Sequence, residues 1–354
     1  MKKSRVNEID LLRFVAALLV VFYHYAFRGY TADNMTVMPY PLLINIAKYG
    51  YLGVDLFFII SGFVILMTAS DGNIKTFFIS RFVRLYPAFW TCCTFTYICS
   101  IFFEYNHYSP SFYQYMANMT MLNGFFKIQY IDGVYWSLLY EMRFYILVAI
   151  SISFGVIRRS QHILILWLIF SIIIKIFPSY KISYILISDY SSYFIAGGAF
   201  FLVWSKGVSL LRIGIIFLSF GVSLYDQFNR ILDLEKHFNT TFNSIIPAII
   251  IFLFFISMLL ISLKKTGALG RKSWMCVGSL TYPLYLLHQN IGYMIFNVSY
   301  PSVNNHLILW GTIVLMIGAA YGVHRYVERP VSSALRNNLV FLIENAGRLL
   351  KTRP

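Results

Sequence analysis

The sequence has 354 residues, 58% of them hydrophobic and only 12% charged, with a formal net charge of +15 and a mean hydropathy of +0.67. Soluble domains carry about 25% charged residues, so the composition excludes a soluble enzyme or a nucleic-acid-binding domain and describes a polytopic membrane protein. No polar stretch is long enough for a separate soluble domain. We expect one integral membrane domain, 1–330, followed by a basic cytoplasmic tail, 331–354.

The apolar runs predict an all-α bundle of about ten transmembrane helices, at 9–27, 51–70, 86–103, 133–155, 162–178, 188–204, 208–225, 244–263, 279–297 and 306–326. Lys2, Lys3 and Arg5 precede the first, and the segments on that side carry most of the lysines and arginines. The bias predicts an even span count with both termini cytoplasmic, and makes the net charge mainly a topology signal.

The first span contains Asp10, Arg13 and His24. Arg13 and His24 are eleven residues apart, about 16 Å along a helix and close to one face. A charge at the bilayer centre costs roughly 2.5–3.5 kcal/mol, so such a stripe faces protein or water. Asp10 is placed to pair with Arg13. His24 can act as a general base near pH 7 or as a polar link to another helix. With ionisable residues inside it and no small-residue cleavage site before Arg28, this span is expected to remain in the mature protein.

The second span holds Gly53, Asp55, Ser61 and Gly62. The glycines allow close helix approach, Ser61 can bond across helices, and Asp55 lies near the outer boundary. In the next cytoplasmic segment, Arg81 and Arg84 are three residues apart with Pro87 close behind. Paired guanidiniums suit phosphate, and positive-inside topology accounts for them equally. Cys92, Cys93, Cys99 and Cys276 have no disulfide or metal-ligand spacing and read as small buried thiols, so no metal site is expected.

The longest outer connection, Glu104 to Asp132, contains Tyr105, His107, Tyr108, Tyr115, Asn118 and Asn123, and Pro110-Ser111 can open a short helix there. Its aromatic and amide side chains suit either sugar recognition or an interfacial belt. The fourth span opens Trp136-Ser137 and reaches Glu141 about two turns inside, with Ser137 on the same face. That carboxylate is expected to orient a histidine, hold a reacting hydroxyl, or pair with Arg143 or another helix. The outer segment 226–243 is expected to be a solvated loop. In the ninth span Tyr285 and His288 stand near mid-membrane beside the kink-prone Pro283, lining a cavity or bonding between helices. The basic tail is expected on the anionic inner leaflet.

Taken in order, these segments resemble the acyltransferase-3 family of bacterial membrane acyltransferases over nearly the whole chain. The resemblance rests on Glu8-x-Asp10-x-x-Arg13 with His24 eleven residues on, Gly53-Val-Asp-Leu-Phe-Phe with Ser61-Gly-Phe63, Arg81-x-x-Arg84-x-x-Pro87, Trp136-Ser137-Leu-x-x-Glu141, Tyr282-x-x-Tyr285-Leu-x-His288 and Val327-Glu-Arg-Pro330. It departs in Leu11-Leu12, where many relatives have small residues, in the doubled Ile59-Ile60, and in Ser80.

The resemblance implies transfer of an acyl group, commonly acetyl, from cytoplasmic acyl-CoA to a sugar hydroxyl of a surface or exported glycan. O-antigen, capsule, exopolysaccharide and lipo-oligosaccharide are all possible acceptors, with the inner membrane as location and glycan-assembly proteins as possible partners. It makes His24 the leading catalytic candidate, with Arg13 and Glu141 in the same site. It makes Arg81 and Arg84 candidates for the donor phosphates, with Tyr285 and His288 also on the donor side. Asp10, Ser61, Trp136, Ser137 and Tyr282 take supporting places. Some relatives carry a further C-terminal esterase-like domain; here acceptor handling is expected from the membrane domain or a partner. The alternative from another class is a glycan or lipid-linked sugar transporter or flippase, using the same intramembrane charges as a pathway.

Overall fold

The computed structural model describes residues 5–103 and 109–351, side chains at 343, 344 and 346–351 aside, and contains no strand among them. The helices are α1 Asn7–Tyr23, α2 Ile44–Ala47, α3 Leu52–Ala69, α4 Ile74–Phe102, α5 Phe112–Met119, α6 Trp136–Ser153, α7 Ser160–Ile176, α8 Tyr180–Leu186, α9 Ser191–Lys206, α10 Leu210–Phe238, α11 Ile245–Ser262, α12 Ala268–Arg271, α13 Met275–Ser299, α14 Asn305–Val323 and α15 Arg329–Lys351. Nine helical segments among the described residues are long and apolar enough to cross a membrane. The chain is therefore a multi-pass membrane protein. The ninth expected span, α13, is not among the nine. It is long enough, but it carries Thr281, His288, Gln289 and Asn290 and is buried along most of its length, so it presents little apolar surface to lipid.

Helix packing is set by small residues. A side chain at Gly62 would strike the Phe194 carbonyl, and one at Gly197 the Ile59 carbonyl, so only glycine lets α3 and α9 lie backbone to backbone. Around this pair stand α7, α10 and α11. On the other side α1 runs against α3 and α13, and α13 packs on α14 and α4. Arg5 near the start of the chain and Arg336 in α15 line one cavity, so both chain ends meet at the same face of the bundle. We call this the basic face.

From residue 109 on, the long outer connection folds back along the bundle, with Phe112, Tyr113 and Phe126 outward and Asn118, Met121, Asn123, Ile131 and Asp132 buried. Ser111 caps α5 through a capping box with Gln114. From there α5 runs back along α4, with Tyr115 stacked on Tyr97 at 4.5 Å and the Thr120 carbonyl accepting Tyr86 Oη at 2.9 Å, halfway down α4. Irregular backbone is tolerated inside a bundle only if its polar groups find partners. Here buried amides supply them. Asn118 Nδ2 donates to the Gln114 and Gln129 carbonyls at 2.8 and 2.9 Å, and its Oδ1 accepts the Ile131 N–H at 3.2 Å. Asn123 Nδ2 donates to the Ile128 carbonyl at 3.1 Å. Neither the sugar-binding nor the belt expectation fits these two side chains, which hold the fold-back together; Tyr105, His107 and Tyr108 lie outside the described residues. Asn118→Leu is expected to lower stability by about 1–3 kcal/mol for each buried group left unpaired. A thermal melt in detergent reads this as a clear loss, and an unchanged melt would contradict it.

Two further expectations are corrected. The segment 226–243 is largely helical: α10 continues to Phe238. Its polar residues have inward partners, Asp226 with Lys175 and Arg230 with Asp55. Helix α4 begins at Ile74, well before the expected span at 86, and runs through Pro87. Proline at 87 cannot donate to the Val83 carbonyl. Ser332 Oγ, from α15, takes that carbonyl at 3.0 Å.

Candidate active site

Three cavities lie end to end along the seam between α1, α3, α4, α6 and α13, adjacent ones sharing wall residues. The first, of about 1110 Å³, opens at the basic face. Seven arginines line it, Arg5, Arg13, Arg81, Arg84, Arg325, Arg329 and Arg336, against one carboxylate, Asp10. Asp10 is taken by Arg5, whose Nε and Nη2 both lie 2.7 Å from Oδ2. The expected Asp10–Arg13 pair is not formed; Arg5, just before the helix, takes the carboxylate instead. Glu328 accepts Arg84 Nη1 at 3.0 Å, and its other oxygen meets His324 Nδ1 at 2.8 Å. Arg329 and Arg336 belong to the basic tail expected on the inner leaflet, and here they line the cavity with Arg325. Their membership of the cavity was hinted at only by the Val327-Glu-Arg-Pro330 motif.

The second cavity is a narrow neck of about 100 Å³. It gathers most of the expected site: Arg13, Ser61, Arg81, Arg84, Ser137, Glu141, Tyr282 and Tyr285 all line it. Glu141 Oε1 accepts Ser61 Oγ at 2.9 Å and Tyr145 Oη at 2.5 Å. It pairs neither with a histidine nor with Arg143. Arg143 instead lies between the Tyr140 and Tyr184 rings, 4.2 Å from each centroid, and donates to the Tyr184 carbonyl. Ser137 Oγ is 2.7 Å from Tyr285 Oη, which donates to the Val134 carbonyl at 3.1 Å. Tyr282 Oη, also buried, has no partner among the described residues.

The third cavity, of about 380 Å³, lies toward the face opposite the basic one and shares Val54 and Tyr285 with the neck. Its walls are Tyr23, Tyr51, Trp136, Tyr140 and Tyr190, with His24, Arg28, Arg230 and His237. The residues around Arg230 were not anticipated. Asp55 is fully buried, and its two oxygens receive Arg230 Nη1 at 2.9 and 3.1 Å. The guanidinium also lies 4.6 Å from the Tyr190 ring centroid. The only signal in the sequence was an acid in one span and a base in a distant segment.

His24 sits where α1 widens into a π-helical stretch, His24–Ala32, an irregularity frequent at functional sites. Its Nδ1–H donates to the Val20 carbonyl at 2.9 Å and faces His288 Nε2 at 3.0 Å. His288 Nδ1 faces only carbonyls, Tyr285 O at 2.8 Å and Leu284 O at 3.2 Å, so that nitrogen carries the proton. His288 Nε2 is then an acceptor for the His24 Nδ1–H. Together with the Val20 carbonyl this fixes the tautomer of His24 and leaves its Nε2 lone pair, alone of the four nitrogens, without a partner among the described residues. His288 is fully buried, stands behind His24, and lines none of the three cavities, so it meets the site through His24 and the Tyr285 carbonyl rather than as a cavity wall.

Asp132, in the fold-back connection just before α6, ties that segment to α13. Its Oδ1 accepts the Val134 N–H and its Oδ2 the Asn290 N–H, both at 3.1 Å. Burial pushes its carboxyl up from 3.8 to about 7, against the pull of those two N–H groups. A raised carboxyl means that the folded chain holds a proton the unfolded chain has lost. Stability is therefore greatest below about 4 and falls as pH rises toward about 7. Melting temperature is expected to decline over that window, and Asp132→Asn to flatten the slope. An unchanged slope in the variant would remove Asp132 as its source.

The family described as an acyltransferase domain, acyltransferase-3, matches residues 6–325. The chain belongs to that family. It is similar to the peptidoglycan O-acetyltransferase OatA of Listeria monocytogenes, at 30% identity over 167 residues, 41% of this chain and 24% of the relative. It is also similar to an O-acetyl transferase of Shigella phage Sf6, at 27% over 180 residues, 46% of this chain and 50% of the relative. A third relative is the acyltransferase MdmB of Streptomyces mycarofaciens, at 34% over 84 residues, 23% of this chain and 21% of the relative. The matches thus span half or less of the length of these relatives. No solved structure matches the chain.

Proposed function

As this chain belongs to the acyltransferase-3 family, we propose that it moves an acyl group, most simply acetyl, from acyl-CoA to a hydroxyl of a surface or exported glycan, from a place in the bacterial inner membrane. The basic face is taken as cytoplasmic, as the charge bias directs. The observation that carries the reading is the free Nε2 of His24, on an aromatic cavity, joined through a narrow neck to a cavity lined by seven arginines.

CoA is strongly anionic, so its phosphates belong in the arginine-lined cavity, with Arg81 and Arg84 as first partners and Arg325, Arg329 and Arg336 beside them. Its thin pantetheine arm enters the neck, where the unpartnered Tyr282 hydroxyl can donate to an amide carbonyl of the arm. Arg13 and Glu141 line the neck together, and the carboxylate offsets part of the charge of three arginines there. The acceptor sugar enters from the opposite face, between rings that cover its apolar surfaces. His24 Nε2 takes the proton of the hydroxyl as its oxygen attacks the thioester carbonyl. The carbon–sulfur bond breaks, an ester forms, and the proton passes to the departing thiolate. The Val20 carbonyl and His288 together keep His24 in the required tautomer. The neck also bears on the transporter alternative. At about 100 Å³ it is far smaller than the cavities on either side, which suits a thin chain reaching in from one end better than a sugar crossing from one side to the other.

Mass spectrometry of cell-surface glycans with and without the protein tests the proposal. One acyl mass should be lost when the protein is absent, and label from acetyl-CoA should enter the glycan. Identical acylation in both strains, with altered amounts of exported glycan, would favour transport instead.

A further inference from the structure

A fourth cavity, of about 390 Å³, opens beside the aromatic one, between the end of α7, the short helix α8 and the outer part of α10. Asp226 lies in its wall, with a side chain only 9% exposed. Asp226 Oδ1 holds Lys175 Nζ, which also donates to the Ser188 carbonyl at 3.4 Å. Asp226 Oδ2 is buried and has no partner among the described residues. That oxygen has no surface open to the cavity, so a donor entering there meets the exposed groups around Asp226 rather than Oδ2 itself.

The rest of the lining indicates which donor. Asp189 and Asn229 stand beside Asp226, and the rings of Tyr180 and Tyr225 are 81% and 54% exposed. Carboxylate and amide groups spaced around a small cavity suit neighbouring hydroxyls, and exposed rings suit the apolar face of a pyranose. A bound cation fits less well, because the Lys175 ammonium already satisfies Asp226 from within.

This cavity also touches the proposed acceptor site. Tyr140 lines the aromatic cavity and its hydroxyl donates to Asp189 Oδ2 at 3.4 Å, while Tyr190, next in the chain, lines that cavity too. We propose that the cavity around Asp226 is a second saccharide subsite, holding the sugar adjacent to the one that is acylated. The acceptor is then an oligomeric glycan of two or more sugars. The inference rests on the glycan-acceptor reading above and adds a length requirement to it.

Fragments of one, two and three sugars, released from the producing organism's own surface polymer, are the probes, with acetyl-CoA as donor and the full chain in detergent. For the unmodified protein KM is expected to fall at least tenfold from one sugar to two. In Tyr180→Ala/Asn229→Ala, whose replaced side chains are exposed, and in Lys175→Gln/Asp226→Asn, which neutralises the pair together, that advantage should shrink to less than twofold. Melting temperatures serve as the folding control. Saturation-transfer NMR on the His24→Ala protein reads binding without turnover and should report contact with both sugars of the two-sugar fragment, reduced to one in the cavity variants. Equal KM for all lengths, or a length advantage that survives both double substitutions, would overturn the subsite. Two-sugar contact by NMR with no acylation of any fragment would keep the subsite and remove the acyl-transfer reading.

Discussion

Replacing His24 with alanine is expected to lower acyl transfer by about 10²–10⁴-fold, the usual worth of a positioned general base, while the protein still inserts and melts as before. The reason lies in the arrangement of two imidazoles rather than one. His288 spends its own N–H on backbone carbonyls and turns its lone pair toward His24. With Nδ1 engaged, Nε2 is the nitrogen of His24 left for chemistry at the cavity that this residue lines. The pair gives a graded test. His288→Gln retains a side-chain oxygen able to accept the His24 N–H and should lose little, on the order of tenfold. His288→Leu removes that acceptor but leaves the Val20 carbonyl at 2.9 Å to hold the Nδ1–H, so it should cost more than the glutamine variant through looser placement of the ring and stop short of the loss in His24→Ala, with KM for either substrate little changed. Transfer at full rate in His24→Ala, measured with labelled acetyl-CoA, would take the imidazole out of the chemistry.

The second large effect is expected at the other end of the pathway. Replacing Arg81 and Arg84 together by glutamate should raise KM for acetyl-CoA about 100-fold or more and leave KM for the acceptor nearly unaltered. Each charge-assisted hydrogen bond to a phosphate is worth roughly 1.5–3 kcal/mol, and two are lost. Reversal adds repulsion, since a carboxylate at position 84 would face Glu328, which now accepts that arginine at 3.0 Å. The alanine pair separates these contributions and should show a smaller rise. The effect should weaken with salt, because the cavity is open to solvent and its charges are screened. If acetyl-CoA affinity is the same in all variants, the two arginines serve topology alone.

The bundle itself was legible from composition, and most of the cavity residues were legible from local motifs. Arg13, Ser61, Arg81, Arg84, Ser137, Glu141 and Tyr285 come from five separate helices and do line one neck. What the sequence hid were choices between partners. Asp10 had Arg13 one turn away, yet Arg5, just before the helix, takes it. Glu141 had Arg143 two residues on, but adjacent helical positions point apart, and Ser61 and Tyr145 lie where the carboxylate points. Asp55 and Arg230 are far apart in sequence and meet only because α10 runs on past the expected end of its span. The fold-back before α6 was illegible for a similar reason. A polar, aromatic stretch reads as surface, and only the pairing of Asn118 and Asn123 with irregular backbone makes its burial tolerable.

The contact between Arg84 and Glu328 gives donor entry a particular character. That guanidinium does not wait in water for a phosphate; it already holds a carboxylate whose other oxygen meets His324. On the proposed reading, loading is an ion exchange in which one anion displaces another, and the displaced one keeps a fallback ligand. The strength of the grip at Arg84 is then a difference between two rival anions, while the cavity's other arginines add an attraction that owes nothing to that exchange.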